Sequence, residues 1–407
     1  MNRQYELLSP AGSMEALSAA LRFGADAVYV GGPKLQLRAG SAGFTMDGLE
    51  AAAKAAHALG RKLYVTVNAF PTNGEIDALP DYAQALQALG ADAVIVADLG
   101  AIATIRKAAP ELPVHVSTQA NCLNYASARA YHDLGATRVV LGREMTLEQI
   151  AELRAKAPAT LELEAFVHGA MCMAYSGRCL ISAALTGRSA NRGACTQSCR
   201  WSYALMEEKR PGEYFPIEED AGGTTILSSC DLNALDFIDQ LMAAGVTAFK
   251  LEGRMKSPYY VATVTNAYRR RIDGILDGTA TPEGIALLQR ELNAASHRAY
   301  ASGFYFGEMK KHAPDDGAYL SDCTFVGVVK GRLPGGRLRV EVRNRICEGD
   351  TLEVLSPAAL GLSLVAAHLT DGDGSALEAA SVPMTLVDMD GAEGVEAGDY
   401  LRVRVKS

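Results

Sequence analysis

Four cysteines, Cys172, Cys179, Cys195 and Cys199, follow one another with the spacing C-x6-C-x15-C-x3-C. Thiolates are soft donors, so four in one loop suit an iron–sulfur cluster or tetrahedral zinc. The paired C-x2-C knuckles usual for structural zinc are absent, which favours the cluster. The segment around them is rich in Gly, Ser, Arg and Asn and has weak apolar periodicity, so a bound metal would supply the order that its own packing cannot. Cys230 is an alternative ligand and Cys122 a weaker one. The competing reading, buried cysteines acting as small hydrophobes, suits Cys323 and Cys347 better than four cysteines in a polar loop. His168, four residues before Cys172, also permits a Cys–His dyad, although nothing visible supplies the third group such a site needs.

These residues need a scaffold. A motif repeats along the chain: Phe23–Val30 (FGADAVYV), Leu89–Val96 (LGADAVIV), Leu134–Leu141 (LGATRVVL) and Ala244–Leu251 (AGVTAFKL). Each copy ends a helix-like stretch on Gly and enters a short apolar run, the mark of helix-to-strand units in a parallel sheet. Eight strands are expected near Glu6–Ser9, Ala27–Gly31, Leu63–Asn68, Ala93–Ala97, Val114–Gln119, Arg138–Gly142, Leu161–His168 and Ala248–Arg254, with helices such as Met46–Leu59 and Leu147–Ala157 between them. The expected class is α/β: a (β/α)8 TIM-like barrel over residues 1–295, with a doubly wound open sheet as the other possibility. An abnormally long insertion between strands seven and eight, cysteine-rich over 170–225, would sit on the catalytic face. Residues 296–318 read as a linker, and 319–407 as a small all-β domain, a barrel or a sandwich, with Gly335-Gly336 in a hairpin turn.

Strand alternation then gathers polar residues at one mouth. Lys250, Glu252 and Arg254 share a face, as do Glu164 and His168, His115, Ser117, Gln119 and Asn121, and Tyr64, Thr66 and Asn68. Polar groups on apolar strands are costly unless paired or used. Structural ion pairs, such as Lys250 with Glu164, account for some of them equally well. As a set they suit a polar, anionic ligand: Arg254, Lys250 and Arg143 as carboxylate clamps, Asn68, Gln119 and Asn121 as binding amides, His168 or Glu164 to move protons, and Glu252 as a further catalytic candidate.

The chain of 407 residues carries a net charge of −8, which argues against a general nucleic-acid coat. One stretch departs from that balance: Lys330, Arg332, Arg337, Arg339, Arg343 and Arg345 stand against the single acid Glu341. On a hairpin they would track RNA phosphates or simply protect an edge strand. Arg178, Arg188, Arg192 and Arg200 lie in the cysteine segment, where Tyr175 or Trp201 could stack a base. No apolar run is long enough to span a membrane and the first residues lack a secretory core, so a cytoplasmic protein is expected.

The stretches Glu164–Ser182, Asn191–Trp201 and Leu251–Pro258 resemble the signature of the collagenase-like peptidases, unassigned peptidase family thirty-two. The likeness extends to Glu6–Gly12, Gly24–Gly31, Ser302–Gly307 and Asn344–Leu355, and so to nearly the whole chain. Despite the family's name, the sequence lacks both the His-Glu-x-x-His and the Gly-x-Ser-x-Gly protease motifs. The resemblance implies RNA or quinone hydroxylation instead. With its C-terminal β domain the chain looks most like the branch that makes 5-hydroxyuridine at the tRNA wobble position using prephenate. Other branches act in oxygen-independent ubiquinone hydroxylation and rRNA cytidine hydroxylation. It further implies a 4Fe–4S cluster on Cys172, Cys179, Cys195 and Cys199, prephenate as oxygen donor, tRNA as partner, and a possible partner protein of the same family. A peptidase using Cys or metal chemistry and a non-enzymatic iron–sulfur subunit are the alternatives.

Overall fold

The computed structural model describes residues 5–37, 43–172, 174–201, 204–206, 214–216, 230–307 and 319–405. Eight parallel strands close on themselves: β1 (Glu6–Pro10), β2 (Ala27–Gly31), β3 (Lys62–Val67), β4 (Ala93–Val96), β5 (Val114–Val116), β6 (Arg138–Val140), β7 (Glu162–Ala170) and, later in the chain, Ala248–Leu251. Between the last two come β8 (Ala204–Met206), β9 (Tyr214–Pro216) and β10 (Asp231–Asn233), so Ala248–Leu251 is β11. It pairs with both β7 and β1 and completes the barrel. This is the TIM-like closure expected, and the open doubly wound sheet is excluded.

The repeated motif builds the closure. Gly24, Gly90, Gly135 and Gly245 all adopt positive φ, from 87° to 102°, which turns each helix end into the next strand. The Asp that follows in two copies caps a neighbouring strand. Asp26 accepts from the Leu7 amide at 3.0 Å, and Asp92 accepts from the Leu63 amide at 2.8 Å. The helices Met46–His57 and Leu147–Lys156 match their expected ranges and start on side-chain caps from Thr45 and Thr146.

The long gap before β11 holds more than a loop. β10 runs antiparallel to β7, and β12 (Tyr300–Ala301) adds parallel to β10. The segment expected as a linker therefore belongs to the fold in its described part. Arg298 binds Asp231 in a buried pair at 2.8 Å, and the Tyr305 hydroxyl donates to the Phe166 carbonyl at 2.6 Å. Apolar side chains and a strand-forming dipeptide outweigh its Gly content.

The chain forms two compact units. One comprises Met1–Met14, Asp26–Met255 and Arg298–Tyr319; the other comprises Glu15–Ala25, Lys256–His297 and Leu320–Ser407. The helices Pro258–Leu276 and Pro282–Asn293, expected with the barrel, group instead with the β-rich unit. Their contacts explain it: Tyr259 stacks on Phe325 with ring centroids 4.8 Å apart, and Glu291 holds the buried Arg402 at 2.6 Å.

Strands β13 (Cys323–Arg332), β14 (Leu338–Val342), β15 (Ile346–Cys347), β16 (Thr351–Leu355), β17 (Leu362–Val365), β18 (Ala379–Ala380), β19 (Leu386–Met389) and β20 (Tyr400–Arg404) complete this unit. Six form an antiparallel sheet in the order β17-β16-β20-β13-β14-β19. Gly335 and Gly336, both at positive φ, make the β13–β14 turn. The expected all-β domain is there; of its two expected forms, a closed barrel is not formed among the described residues, where β17 and β19 do not pair and the outer edge of β19 meets a single bridge from Thr370. Among the described residues no helix is long and apolar enough to cross a membrane.

Candidate active site at the barrel mouth

The C-terminal ends of the barrel strands enclose a cavity lined by Asn68, Gln119, Arg143, Cys172, Lys250, Glu252 and Arg254, with Tyr29, Thr66, Ser117, Thr118 and Phe166 among its walls. Nine of the residues singled out from the sequence, Thr66 and Ser117 included, thus meet at one place. Glu252 and Arg254 lie just beyond the end of β11, and Gln119 sits in a 3-10 turn (Thr118–Ala120) after β5.

Arg254 is buried, and its guanidinium donates to the Thr66 hydroxyl at 3.1 Å. Two motif glycines make room for it. A Cβ on Gly12 would lie 2.3 Å from the Arg254 carbonyl oxygen, and one on Gly31 would lie 2.5 Å from its NH1. Arg143 stacks on the Phe166 ring at 3.9 Å, donates to the Ala170 carbonyl at 3.0 Å and stands 4.0 Å from Glu252. The Nε of Arg143 and the Oδ1 of Asn68 are buried and make no hydrogen bond among the described residues. Both are placed to meet a ligand's polar atoms.

Below the mouth lies a buried charge chain. Lys250 Nζ donates to Glu164 at 2.8 Å and stands 4.6 Å over the Tyr29 ring. Arg138 donates to the other Glu164 oxygen at 3.0 Å and to Glu6 at 2.6 Å. Tyr64 donates to Glu6 at 2.8 Å. Glu164 is thus the counter-ion of Lys250 beneath the cavity, not part of its lining. Burial pushes the Glu6 carboxyl up, but Arg138 and then Lys62 pull it further down, to about 2. His115, packed edge-on against Tyr64 at 4.7 Å, is driven well below the usual imidazole range by burial and by the charges of Arg138 and Lys250.

Besides Glu164, His115 and Tyr64, which lie below it, two further expected residues do not join the mouth. His168 does not line the cavity; its ring packs against Tyr300 with centroids 5.3 Å apart. The pairing of β7 with β11 slips between Lys250 and Leu251, so His168 faces Leu251 and the alternation that put it beside Glu164 breaks. Asn121 adopts a left-handed conformation with φ of 57°, which ends the 3-10 turn and takes it out of the lining. Arg138 and Glu6 were not singled out from the sequence. The signal was there in Arg138, a charge opening an otherwise apolar strand.

The cysteine segment is fastened to this rim. The Ser176 amide donates to Glu144 at 2.9 Å, the Asn191 carbonyl accepts from the Phe70 amide at 3.1 Å, and Arg192 reaches the Phe70 carbonyl at 2.6 Å. Cys172, Cys179, Cys195 and Cys199 are free thiols; Cys172 and Cys195 are exposed, whereas Cys230 is buried and its thiol pushed up by burial. Among the described residues no three Cys, His, Asp or Glu side chains are gathered to hold a metal ion.

Gly177 marks the closest approach of segment and rim, with φ of 73° and a virtual Cβ only 2.1 Å from the Gln119 carbonyl. Gly177→Ala is expected to cost about 1–3 kcal/mol locally and to lift the segment. Limited proteolysis should then cut near Arg178 faster than in the wild type; equal protection would show that the contact is dispensable.

The basic hairpin is largely spoken for. Arg339 pairs with Asp388 at 2.8 Å, Arg343 with Glu15 at 2.7 Å and with Glu341, and Lys330 with Glu341 at 3.4 Å. Arg337 donates to the His368 carbonyl at 2.6 Å and Arg332 to the Val395 carbonyl at 3.0 Å; Arg345 is exposed. The expected phosphate-tracking patch therefore has most of its charge committed inside its own unit.

Comparison with known proteins agrees along the chain. Residues 12–315 match the model for peptidase family U32, and residues 321–402 match the U32 C-terminal domain. The tRNA hydroxylation protein P of Escherichia coli is 37% identical over 418 residues, spanning 91% of this chain and 90% of that protein. The tRNA hydroxylation protein P1 of Bacillus subtilis is 36% identical, spanning 95% and 92%. A protein of Porphyromonas gingivalis named collagenase is 35% identical, spanning 75% and 74%.

Proposed function

The chain belongs to the peptidase U32 family, and on that premise we propose that it is a tRNA hydroxylase. Its reaction is hydroxylation of the wobble uridine at C5 to 5-hydroxyuridine, with prephenate as the small anionic oxygen donor. The observation that carries this reading is the likeness to tRNA hydroxylation protein P across nine-tenths of both chains.

The mouth supports the small-molecule part. Prephenate carries two carboxylates, and Arg254, Lys250 and Arg143 offer three cationic groups around one cavity. An Arg binds a carboxylate through two parallel hydrogen bonds, which orients as well as holds it. Asn68 and Gln119 bind neutral oxygens of the ligand. Glu252, on the same wall, is the group that holds or moves a proton, since His168 stands elsewhere.

Cys172, Cys179, Cys195 and Cys199 are the proposed ligands of a 4Fe–4S cluster, with Cys230 as substitute. Metal binding commonly supplies the order of such a segment. When bound, the cluster supplies redox or Lewis-acid chemistry beside the cavity that Cys172 lines. A peptidase dyad has little support, because the cavity is lined by Cys172 but not by His168. The family resemblance also implies a related subunit, which activity of the purified single chain would exclude.

Anaerobic purification tests the reading. The wild type is expected to carry about four irons and a broad absorbance near roughly 400 nm, and to restore 5-hydroxyuridine to tRNA in a deletion strain. Cys172→Ala and Cys179→Ala should lose both. A colourless protein that cleaves peptides, with cleavage lost in Cys172→Ala, would return the peptidase reading.

A further inference from the structure

The segment Met171–Trp201 contains four arginines and no acidic residue, in a chain of net charge −8. Arg192 is tied to Glu75 at 3.3 Å. Arg178 and Arg188 are exposed and make no ion pair or side-chain hydrogen bond among the described residues. Aromatic and apolar side chains are interleaved with them: Tyr175 is 58% exposed, Trp201 48% and Leu180 71%. Exposed rings and guanidinium groups interleaved along one segment have the composition of a stacking platform for unpaired bases.

The segment holds these groups in place. A turn from the Tyr175 carbonyl to the Arg178 amide, at 3.0 Å, puts ring and guanidinium at its two ends. A hydroxyl chain, Ser182 to Thr196 at 2.9 Å and Thr196 to Ser198 at 2.6 Å, joins the helix Ile181–Thr186 to the 3-10 turn that precedes Trp201. Ser176 in turn meets Thr118, a residue of the cavity wall, at 3.4 Å. The platform therefore borders the mouth.

We infer that this cysteine-bearing segment, and not the basic β13–β14 hairpin, is the surface that grips the single-stranded loop of the RNA. Arg178 and Arg188 contact its phosphates, and Tyr175 and Trp201 stack its bases. The inference rests on the tRNA reading above. It follows from charge availability: three of the hairpin's six cations, Lys330, Arg339 and Arg343, are paired with Glu341, Asp388 and Glu15, and Arg332 and Arg337 are turned to backbone carbonyls, whereas Arg178 and Arg188 have no counter-ion among the described residues.

Two measurements separate this inference from the reading it rests on. Binding of a fluorescent RNA hairpin with an unpaired uridine in its loop is followed as a function of salt, and tRNA 5-hydroxyuridine is measured in a complemented deletion strain. Arg178→Glu with Arg188→Glu is expected to weaken hairpin binding at least tenfold and to lower the slope of log affinity against log salt by about two. Trp201→Ala is expected to cost about tenfold with an unchanged slope. Arg188→Glu alone, well removed from every cysteine in sequence, should lower affinity and slope with wild-type iron content, which separates RNA contact from damage to a metal site. If these variants bind as the wild type does while Arg339→Gln with Arg343→Gln abolishes binding, the surface is the hairpin and the inference falls, with the tRNA reading intact. If the wild type neither binds the hairpin nor restores 5-hydroxyuridine, both fall together.

Discussion

Replacing Arg138 with Met is expected to destabilise the barrel by about 3–5 kcal/mol at neutral pH and to change the sign of its response to acid. Arg138 has only 3% of its side chain exposed and is shared by Glu6, Glu162 and Glu164. Without it Glu164 keeps only Lys250, and Glu6 keeps the half-exposed Lys62 and the Tyr64 hydroxyl. A buried carboxylate that loses its counter-ion retains its desolvation penalty, so removing one member costs more than the network contributes as a whole.

The acid response follows from Glu6. Its carboxyl is held at about 2 against an ordinary value of 4.5. A depressed carboxyl lends stability that is fully present above its unfolded value and is lost as pH falls through its folded one. Wild-type stability should therefore decline between pH 4.5 and about 2. In Arg138→Met, burial dominates and raises the Glu6 carboxyl, so mild acid should relieve the strain instead of adding to it. Urea unfolding across that pH range reads both effects. A loss below about 1 kcal/mol at pH 7, or an unchanged acid limb, would mean that water rather than Arg138 compensates the buried acids.

The parts of this molecule that were legible in its sequence are those written in short repeats. Gly24, Gly90, Gly135 and Gly245 announce helix ends because only glycine readily takes their positive φ, and the strand after each follows from β-branched runs. Alternation along those strands was enough to gather Lys250, Thr66 and Asn68 at one end. It misled at His168, because the slip in the β7–β11 pairing has no composition cue. Counter-ions were hidden for a related reason. Asp388 and Glu15 lie far along the chain from Arg339 and Arg343, so the hairpin read as a bare basic strip when half of its cations stand in ion pairs. The helix Pro258–Leu276 reads as one more barrel helix by periodicity alone. Only the stacking of Tyr259 on Phe325 assigns it to the other unit.

The mouth offers the largest functional effect. Arg254→Ala is expected to lower tRNA 5-hydroxyuridine formation by about 10²–10³-fold, the loss of a charge-assisted, two-point hold on a carboxylate worth about 3–4 kcal/mol. The structure has given this one guanidinium unusual accommodation. Gly31 leaves out a side chain where it passes, Gly12 does the same at the Arg254 backbone carbonyl, and the Thr66 hydroxyl accepts from it and fixes its orientation from another strand. Arg254→Lys keeps the charge and loses the planar fork, so its activity should fall about tenfold or more below wild type while remaining above that of Arg254→Ala. Both should show most of the change as a raised KM for the anionic donor if Arg254 only binds it, and as a lowered kcat if it orients the donor for reaction. Thermal unfolding separates this from a folding defect, since either Arg254 variant should lose less in Tm than Arg138→Met. Wild-type activity in Arg254→Ala would remove the cationic mouth from the reaction and leave the cavity a structural feature of the barrel.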